Sequence, residues 1–281
     1  MRLHPAAPVL ARTDTSLQIG WDQPLVLDDV SAQDARFLRS LEGGRVIGDA
    51  ERRRHRAVLT SLAGAGLLED PSAPRTPLGC VRISLAGALG TEIAVALARA
   101  GLGVALVDGA PARLAAVPHL PSADCAAVAA DRVRAEVPGA DLRGAQANAA
   151  LDVVVSAGPA VLRARRLTAR DQAHLLVQVG ERAITVGPMV VPGTTACVTC
   201  LGLAATAADP AWPTLALQGD ARRPRTDPVL ATLAGALAAH VVLAHLAGRP
   251  TAMWRVDAEG ATRLETPPPH PDCRCIEPFP R

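Results

Sequence analysis

The sequence predicts an α/β protein in two parts: a small α+β module over residues 1–70, then, past a linker at 71–77, a parallel-sheet domain over 78–281. Three observations predict it. Strand-like and helix-like stretches alternate from Val81 onward, three short β-prone runs precede two helical stretches before Asp70, and four cysteines fall in two tight pairs near the end. Hydrophobic residues make up 49% of the 281, enough for a core, but that core must be Ala, Leu and Val because there are only two Phe and three Trp. No lysine occurs; all 29 basic residues are arginine, which excludes any mechanism that needs a lysine amine. A net charge of +2 implies no general affinity for nucleic acid or for an anionic membrane.

In the first part, Pro8 to Arg12, Ser16 to Gly20 and Pro24 to Leu27 read as short strands separated by turn residues such as Thr13-Asp14 and Trp21-Asp22. Ser31 opens a helix with Asp34 three residues on, a capping cue; Phe37, Leu38 and Leu41 form its apolar face and Gly43-Gly44 stops it. A second helix runs from about Asp49 to Ala63. It sets Val58, Leu59 and Leu62 on one face and Arg52, Arg53, Arg54 and Arg56 on the other. That order of elements resembles a small winged-helix module. Pro71 to Pro77, with its three prolines, is the linker.

The second part has the alternation of a parallel α/β sheet. Val81 to Leu85, Gly103 to Val107, Asp152 to Ser156, His174 to Gly180 and Ala183 to Val191 read as strands. Thr91 to Ala100, Asp131 to Glu136 and Leu162 to Asp171 read as helices. Met253 to Asp257 and Thr262 to Thr266 form a hairpin around Glu259-Gly260. Val229 to Gly248 is long enough to cross a bilayer and has no Asp, Glu, Lys or Arg. It is mostly alanine and leucine and contains His240 and His245, so a helix packed on the sheet is the better reading. Met1 to Arg12 lacks the apolar stretch of an export signal, which makes the cytoplasm the expected location.

The cysteines are the most specific signal. Cys197-Val-Thr-Cys200 can grip one ion from a single turn, and Cys273-Arg-Cys275 follows a proline-rich run that holds the tail extended. Together they supply the four sulfurs that structural zinc prefers, with no open position for water. A redox Cys-x-x-Cys, a disulfide and plain buried thiols are the rival readings, and His270 is an outside candidate to replace one cysteine. Cys80 and Cys125 have no near partner and read as small buried residues.

Leu85-Ala-Gly87-Ala-Leu-Gly90 follows a strand and opens a helix, and Asp108 ends the next strand. That is the context of a Rossmann-like nucleotide fingerprint: Gly87 for close approach of backbone to phosphate, Gly90 for helix packing, Asp108 for ribose hydroxyls. Leu85, however, stands where the first glycine belongs. A turn that keeps the fold without the ligand is an equal reading.

The order of strand, glycine turn, Val107-Asp108, Asp152-Val-Val-Val155, Gly187-Pro-Met-Val-Val-Pro-Gly193, Cys197-x-x-Cys200 and a distal cysteine pair resembles the ThiF/MoeB superfamily, relatives of ubiquitin-activating enzymes, over about residues 78 to 276. The resemblance implies a Rossmann-like ThiF-type domain, adenylation of a peptide's carboxylate by ATP and magnesium, and a homodimer. With the module in front, the chain more closely resembles the ThiF-like, leader-peptide-binding partners of azoline-forming YcaO cyclodehydratases, in which the YcaO partner uses the ATP. The family's ATP site is incomplete here. Leu85 replaces a glycine, Ala110 an acid, Pro159 stands at or near the metal-binding aspartate, Arg113 is the only Arg between Asp108 and Cys125, and the lysine cannot exist. The resemblance places a leader peptide as an added strand beside Leu25, Val26 and Leu27, with Arg53 and Arg56 on the neighbouring helix to meet its acidic side chains. The reading is therefore a peptide-binding scaffold with structural zinc and a degenerate nucleotide site of Gly87, Gly90 and Asp108. An ATP-dependent adenylyltransferase is the main alternative, then a dinucleotide-dependent oxidoreductase. A DNA reader, suggested by the arginine run, ranks below both because the module is also rich in acids.

Overall fold

The computed structural model describes residues 1–70, 79–85, 88–108, 125–219 and 226–276. The chain forms two compact units, Met1–Thr76 and Pro77–Arg281. The proline linker lies outside the described residues, as do Gly87, Ala110 and Arg113.

In the first unit, strands β1 (Arg2–Leu3), β2 (Val9–Ala11), β3 (Leu17–Ile19) and β4 (Leu25–Leu27) precede helices α1 (Ala32–Ser40), α2 (Asp49–Arg54) and α3 (Arg56–Gly64), and strand β5 (Leu68–Glu69) follows. Strands β2, β3 and β4 make an antiparallel meander in which Ile19 faces both Val9 and Leu25. Strand β1 pairs with β5, Arg2–Leu3 against Leu68–Glu69; each has one apolar and one charged residue, too little pattern to read, and the sequence reading lacks the pair. Leu3, Ile19, Leu38, Leu41, Ile47 and Leu62 are fully buried between sheet and helices. Ser31 caps α1 by accepting the Asp34 N–H at 3.0 Å.

The helix expected from Asp49 to Ala63 is two helices. The break falls at His55, whose backbone leaves the helical region (φ −107°, ψ 30°). Its buried ring stacks on Phe37 with centroids 3.9 Å apart, and its Nδ1 lies 2.6 Å from Asp34 Oδ1. Hydrogen bonds from His55, then from Ser31, hold the Asp34 carboxyl below the usual range. Periodicity does not reveal this break, because it comes from a tertiary contact between α1 and the joint.

The second unit contains β6 (Cys80–Leu85), α4 (Ala88–Arg99), β7 (Gly103–Asp108), α5 (Cys125–Glu136), β8 (Leu142–Arg143), β9 (Leu151–Ser156), α6 (Val161–Thr168), β10 (His174–Val179) and β11 (Ala183–Val190). It continues with α7 (Val198–Ala208), α8 (Trp212–Gly219), α9 (Pro228–Leu246), β12 (Met253–Asp257) and β13 (Thr262–Glu265). Eight strands form one sheet in the order β13-β12-β11-β10-β9-β6-β7-β8. The run β10-β9-β6-β7-β8 is parallel, and β11, β12 and β13 extend it antiparallel. Helices α7 and α8 are absent from the sequence reading: α7 is small or apolar nearly all round and shows no clear amphipathic face, and α8 is short and opens on Trp212-Pro213.

One face of the sheet buries Val81, Ile83, Val153, Val155, Leu175 and Val177 against α4 and α9. Helix α9 starts where Asp227 Oδ1 accepts the N–H groups of Val229 (2.9 Å) and Leu230 (3.1 Å), with Pro228 in its first turn. It is long and apolar enough to cross a membrane, but eight of its residues, Ala231 to Ala244, are buried within the unit. The helix packs on the body of the fold, as the sequence reading prefers. Gly235 is the point of closest approach to α4: a Cβ there would meet Glu92 Cβ at 2.8 Å.

Across the other face, Arg82 ties β6 to β9. Its Nη1 donates to both Asp152 oxygens at 3.2 Å, while Nε and Nη2 donate to the carbonyls of Ala145 (3.1 Å) and Ala147 (2.6 Å). Asp152 is 4% exposed, so removing Arg82 would strand a buried charge.

Gly235→Val should lower stability by about 1–3 kcal/mol through overpacking against α4, read as a fall in the thermal midpoint. Gly202→Val on α7, where nothing crowds the glycine within 4 Å, should cost less.

Candidate metal centre and binding edges

Cys197 sits at the N-cap of α7 in extended conformation, and Cys200 lies in the first turn of that helix. The two thiols therefore point out of a helix N-terminus, whose free N–H groups favour negative sulfur. The loop that delivers them is fastened by Thr195, which accepts the Val191 N–H at 2.8 Å and donates to Met189 O at 2.9 Å. Cys273 and Cys275 arrive on the tail, where a short 3-10 turn over Arg274–Ile276 follows the proline run. Cys197 Sγ lies 4.0 Å from Cys200 Sγ and 3.7 Å from Cys273 Sγ, and Cys200 Sγ lies 3.4 Å from Cys275 Sγ. All four sulfurs are within 4.8 Å of one another.

These separations fit a tetrahedral ion: ligands at about 2.3 Å from a central zinc stand about 3.8 Å apart. The electrostatics point the same way. Burial resists ionisation of Cys200, yet hydrogen bonds from the backbone at His270 and Cys197 and from the Cys275 and Cys273 thiols outweigh it and hold Cys200 below its ordinary value. Burial, with contributions from the neighbouring sulfurs, pushes Cys273 and Cys275 up. Four thiols this close cannot all ionise unless a cation neutralises them, which is what a metal supplies. The four cysteines can hold a metal ion. His270 is not among them; its Nδ1 lies 3.2 Å from the Asp272 N–H. Cys197 and Cys200 are buried, while Cys273 and Cys275 are half-exposed on a cavity of about 720 Å³ that also includes Arg165, Thr168 and Pro192. Cys80 is buried in β6, where burial raises its thiol, and the Cys125 side chain lies outside the described residues.

Of the glycine-turn motif, the structure describes the backbone of Leu85, Gly90 and Asp108. Leu85 ends β6 directly opposite Asp108 at the end of β7, and Gly90 is buried in the first turn of α4. Beyond β9, Ser156 donates to the carbonyl of Gly158, and Pro159 precedes α6.

In the first unit, β4 pairs with β3 and, among the described residues, with nothing on its other side. Leu25 and Leu27 are half-buried and Val26, between them, is 40% exposed. Arg53 and Arg56 are exposed on α2 and α3, and neither enters an ion pair among the described residues. What sequence reasoning missed is a polar row across the large sheet, Ser156, Gln178, Thr185, Arg255 and Arg263. Only the strand register brings these residues together.

No protein-family model matches the chain, and no curated protein matches it in sequence. Solved structures do match in shape. A heterocyclase in complex with substrate and cofactor aligns with a TM-score of 0.64 at 16% identity, over 98% of this chain and 39% of its own. MccB of E. coli aligns with a TM-score of 0.61 at 13% identity, over 98% of this chain and 96% of its own. The microcin C7 biosynthetic enzyme MccB in complex with N-formylated MccA aligns with a TM-score of 0.63 at 13% identity, over 98% and 99%. The chain thus spans about two fifths of the heterocyclase's length and nearly all of MccB's. At these identities the likeness shows the fold alone, which is shared with MccB and with part of the heterocyclase.

Cys200→Ser should abolish bound metal, measured as metal per chain after preparation without chelator. A loss of about 3 kcal/mol from the broken site would lower the melting point by roughly 6–12 °C. A metal-free wild type that melts cooperatively at the same temperature as the variant would contradict the metal reading.

Proposed function

We propose that this ThiF-fold chain is a scaffold that binds a precursor peptide through its leader segment and presents it to a partner modifying enzyme such as a YcaO cyclodehydratase, without adenylyl transfer of its own. The observation that carries the reading is the open edge of β4. An extended peptide can add there as a fourth strand, its backbone bonding to the free edge and its side chains sorting onto the Leu25/Leu27 and Val26 faces. Arg53 and Arg56 give such a peptide's acidic side chains charge-assisted partners. Relatives in shape support a peptide ligand, since one MccB structure contains MccA and the heterocyclase structure contains its substrate. The heterocyclase is much the longer chain, so ring formation is assigned to a partner and not to this fold.

The absence of adenylyl transfer follows from the residues. Phosphoryl and adenylyl chemistry needs cations and a magnesium ligand around the developing charge. Here lysine is missing throughout, Leu85 stands in the glycine turn, and Pro159 stands at or near the family's metal-binding aspartate. The metal at the four cysteines is zinc in this reading, held in a closed sulfur shell with a structural role. In this reading the scaffold works as a homodimer, as its resemblance to the ThiF/MoeB superfamily implies, and in the cytoplasm.

Magnesium ATP should leave the melting temperature unchanged and support no pyrophosphate exchange. A ligand at a hundredfold excess over its Kd would stabilise by about 2.7 kcal/mol, so a clear thermal shift would restore the adenylyltransferase reading. The full chain should bind its cognate leader peptide. Val26→Pro, which deletes a β4 N–H, and Arg53→Glu should each weaken that binding about tenfold or more by calorimetry. Unchanged affinity in both variants would refute the β4 edge as the site, and tight, salt-steep binding of duplex DNA would replace it with the DNA-reader reading.

A further inference from the structure

The sheet of the second unit carries a polar band. Residues directly opposite on neighbouring strands share a face. The register pairs Ser156 with Gln178, Gln178 with Thr185, Thr185 with Arg255 and Arg255 with Arg263, so these five stand in one line across β9, β10, β11, β12 and β13. One pair back along β9 and β10, Val154 and Leu176 on the same face pack with Ala160 and Ala164, under α6. Past that cover the composition changes. Ser156, Gln178 and Thr185 are half-buried at the centre of the sheet, where a covered face would bury apolar residues, and Arg255 and Arg263 are exposed.

The band ends in positive charge. Arg255 and Arg263 are cross-strand partners, a pairing of like charges that is unfavourable by itself. Arg182 joins them around a cavity of about 420 Å³. None of the three enters an ion pair among the described residues. Two acids share the cavity, Asp257 and Glu259; Asp257 is engaged by the turn, accepting the Ala261 N–H at 2.7 Å. From β9 to β13 the line spans about 19 Å, the length of roughly six residues of extended chain.

We infer that this open band is a second binding track, taking an extended acidic segment of a polypeptide with its carboxylates at Arg182, Arg255 and Arg263. The inference rests on the peptide-binding reading and adds to it a site remote in sequence from β4. Hydroxyl and amide side chains along the band satisfy backbone groups of the segment, and the arginines select its charge. The fit is to carboxylates on a strand-like chain, because the row matches six extended residues and ends in forked donors.

The test uses the full chain and fluorescein-labelled hexaglutamate, with hexaglutamine as control, read by anisotropy at low salt. Hexaglutamate should bind at least about tenfold tighter than hexaglutamine. The double variant Arg255→Gln/Arg263→Gln, and separately Thr185→Trp, which obstructs the middle of the band, should each weaken hexaglutamate binding about fivefold or more with the melting temperature unchanged. Wild-type affinity in either variant would overturn the track. So would a loss of binding seen only with Arg53→Glu; that result would assign the acidic peptide to the first unit and leave the leader-binding proposal standing.

Discussion

Four sulfurs within 4.8 Å of one another set the constraint on which the rest of the second unit depends. Without a cation, the cluster would bury thiols beside thiolates and gain little. With one, it fastens the N-terminus of α7 to a tail that leaves β13 and returns across the fold. The loop closed in this way runs from Cys197 to Cys275 and includes α8, α9, β12 and β13. Closing so long a loop limits the freedom of the unfolded chain, and the antiparallel extension of the sheet benefits from being held at both ends. The alanine-rich helix α9, whose small side chains bury little area each, gains its place by approaching α4 closely at Gly235.

Much of this was legible in the sequence, for physical reasons that differ by element. The parallel strands β6, β9 and β10 are largely apolar runs bounded by turns, because most of their residues are buried, and they read correctly. The cysteine pairs were legible because few arrangements other than a metal site need that spacing. The division of the α2–α3 helix at His55 was not, since its cause is a ring stacked on Phe37 and bonded to Asp34, two contacts that no local pattern encodes. Helices α7 and α8 went unread because alanine and leucine placed all round a helix leave no period to detect. The polar row from Ser156 to Arg263 was invisible for another reason. Its members lie as far apart in sequence as Ser156 and Arg263, and only the pairing of five strands lines them up.

The same fold supports opposite functional conclusions depending on a few residues. A ThiF-type sheet with its glycine turn, a lysine and a magnesium ligand is suited to adenylation. This chain has the sheet, the strand–helix–strand setting of the turn and the four-cysteine cluster, and has no lysine. Among the described residues it offers an unpaired edge at β4 and arginines outside any ion pair on two surfaces, both of which suit an extended acidic polypeptide. Recognition without chemistry is the economical account of that combination.

The most direct test is hydrogen–deuterium exchange of the full chain with and without its cognate precursor peptide, in the absence of ATP. The account predicts protection of the backbone over Leu25–Leu27 and along α3 when peptide binds, with no further change when magnesium ATP is added. Unaltered exchange at β4, together with peptide-dependent protection around the glycine turn that requires ATP, would contradict it and identify an adenylating enzyme.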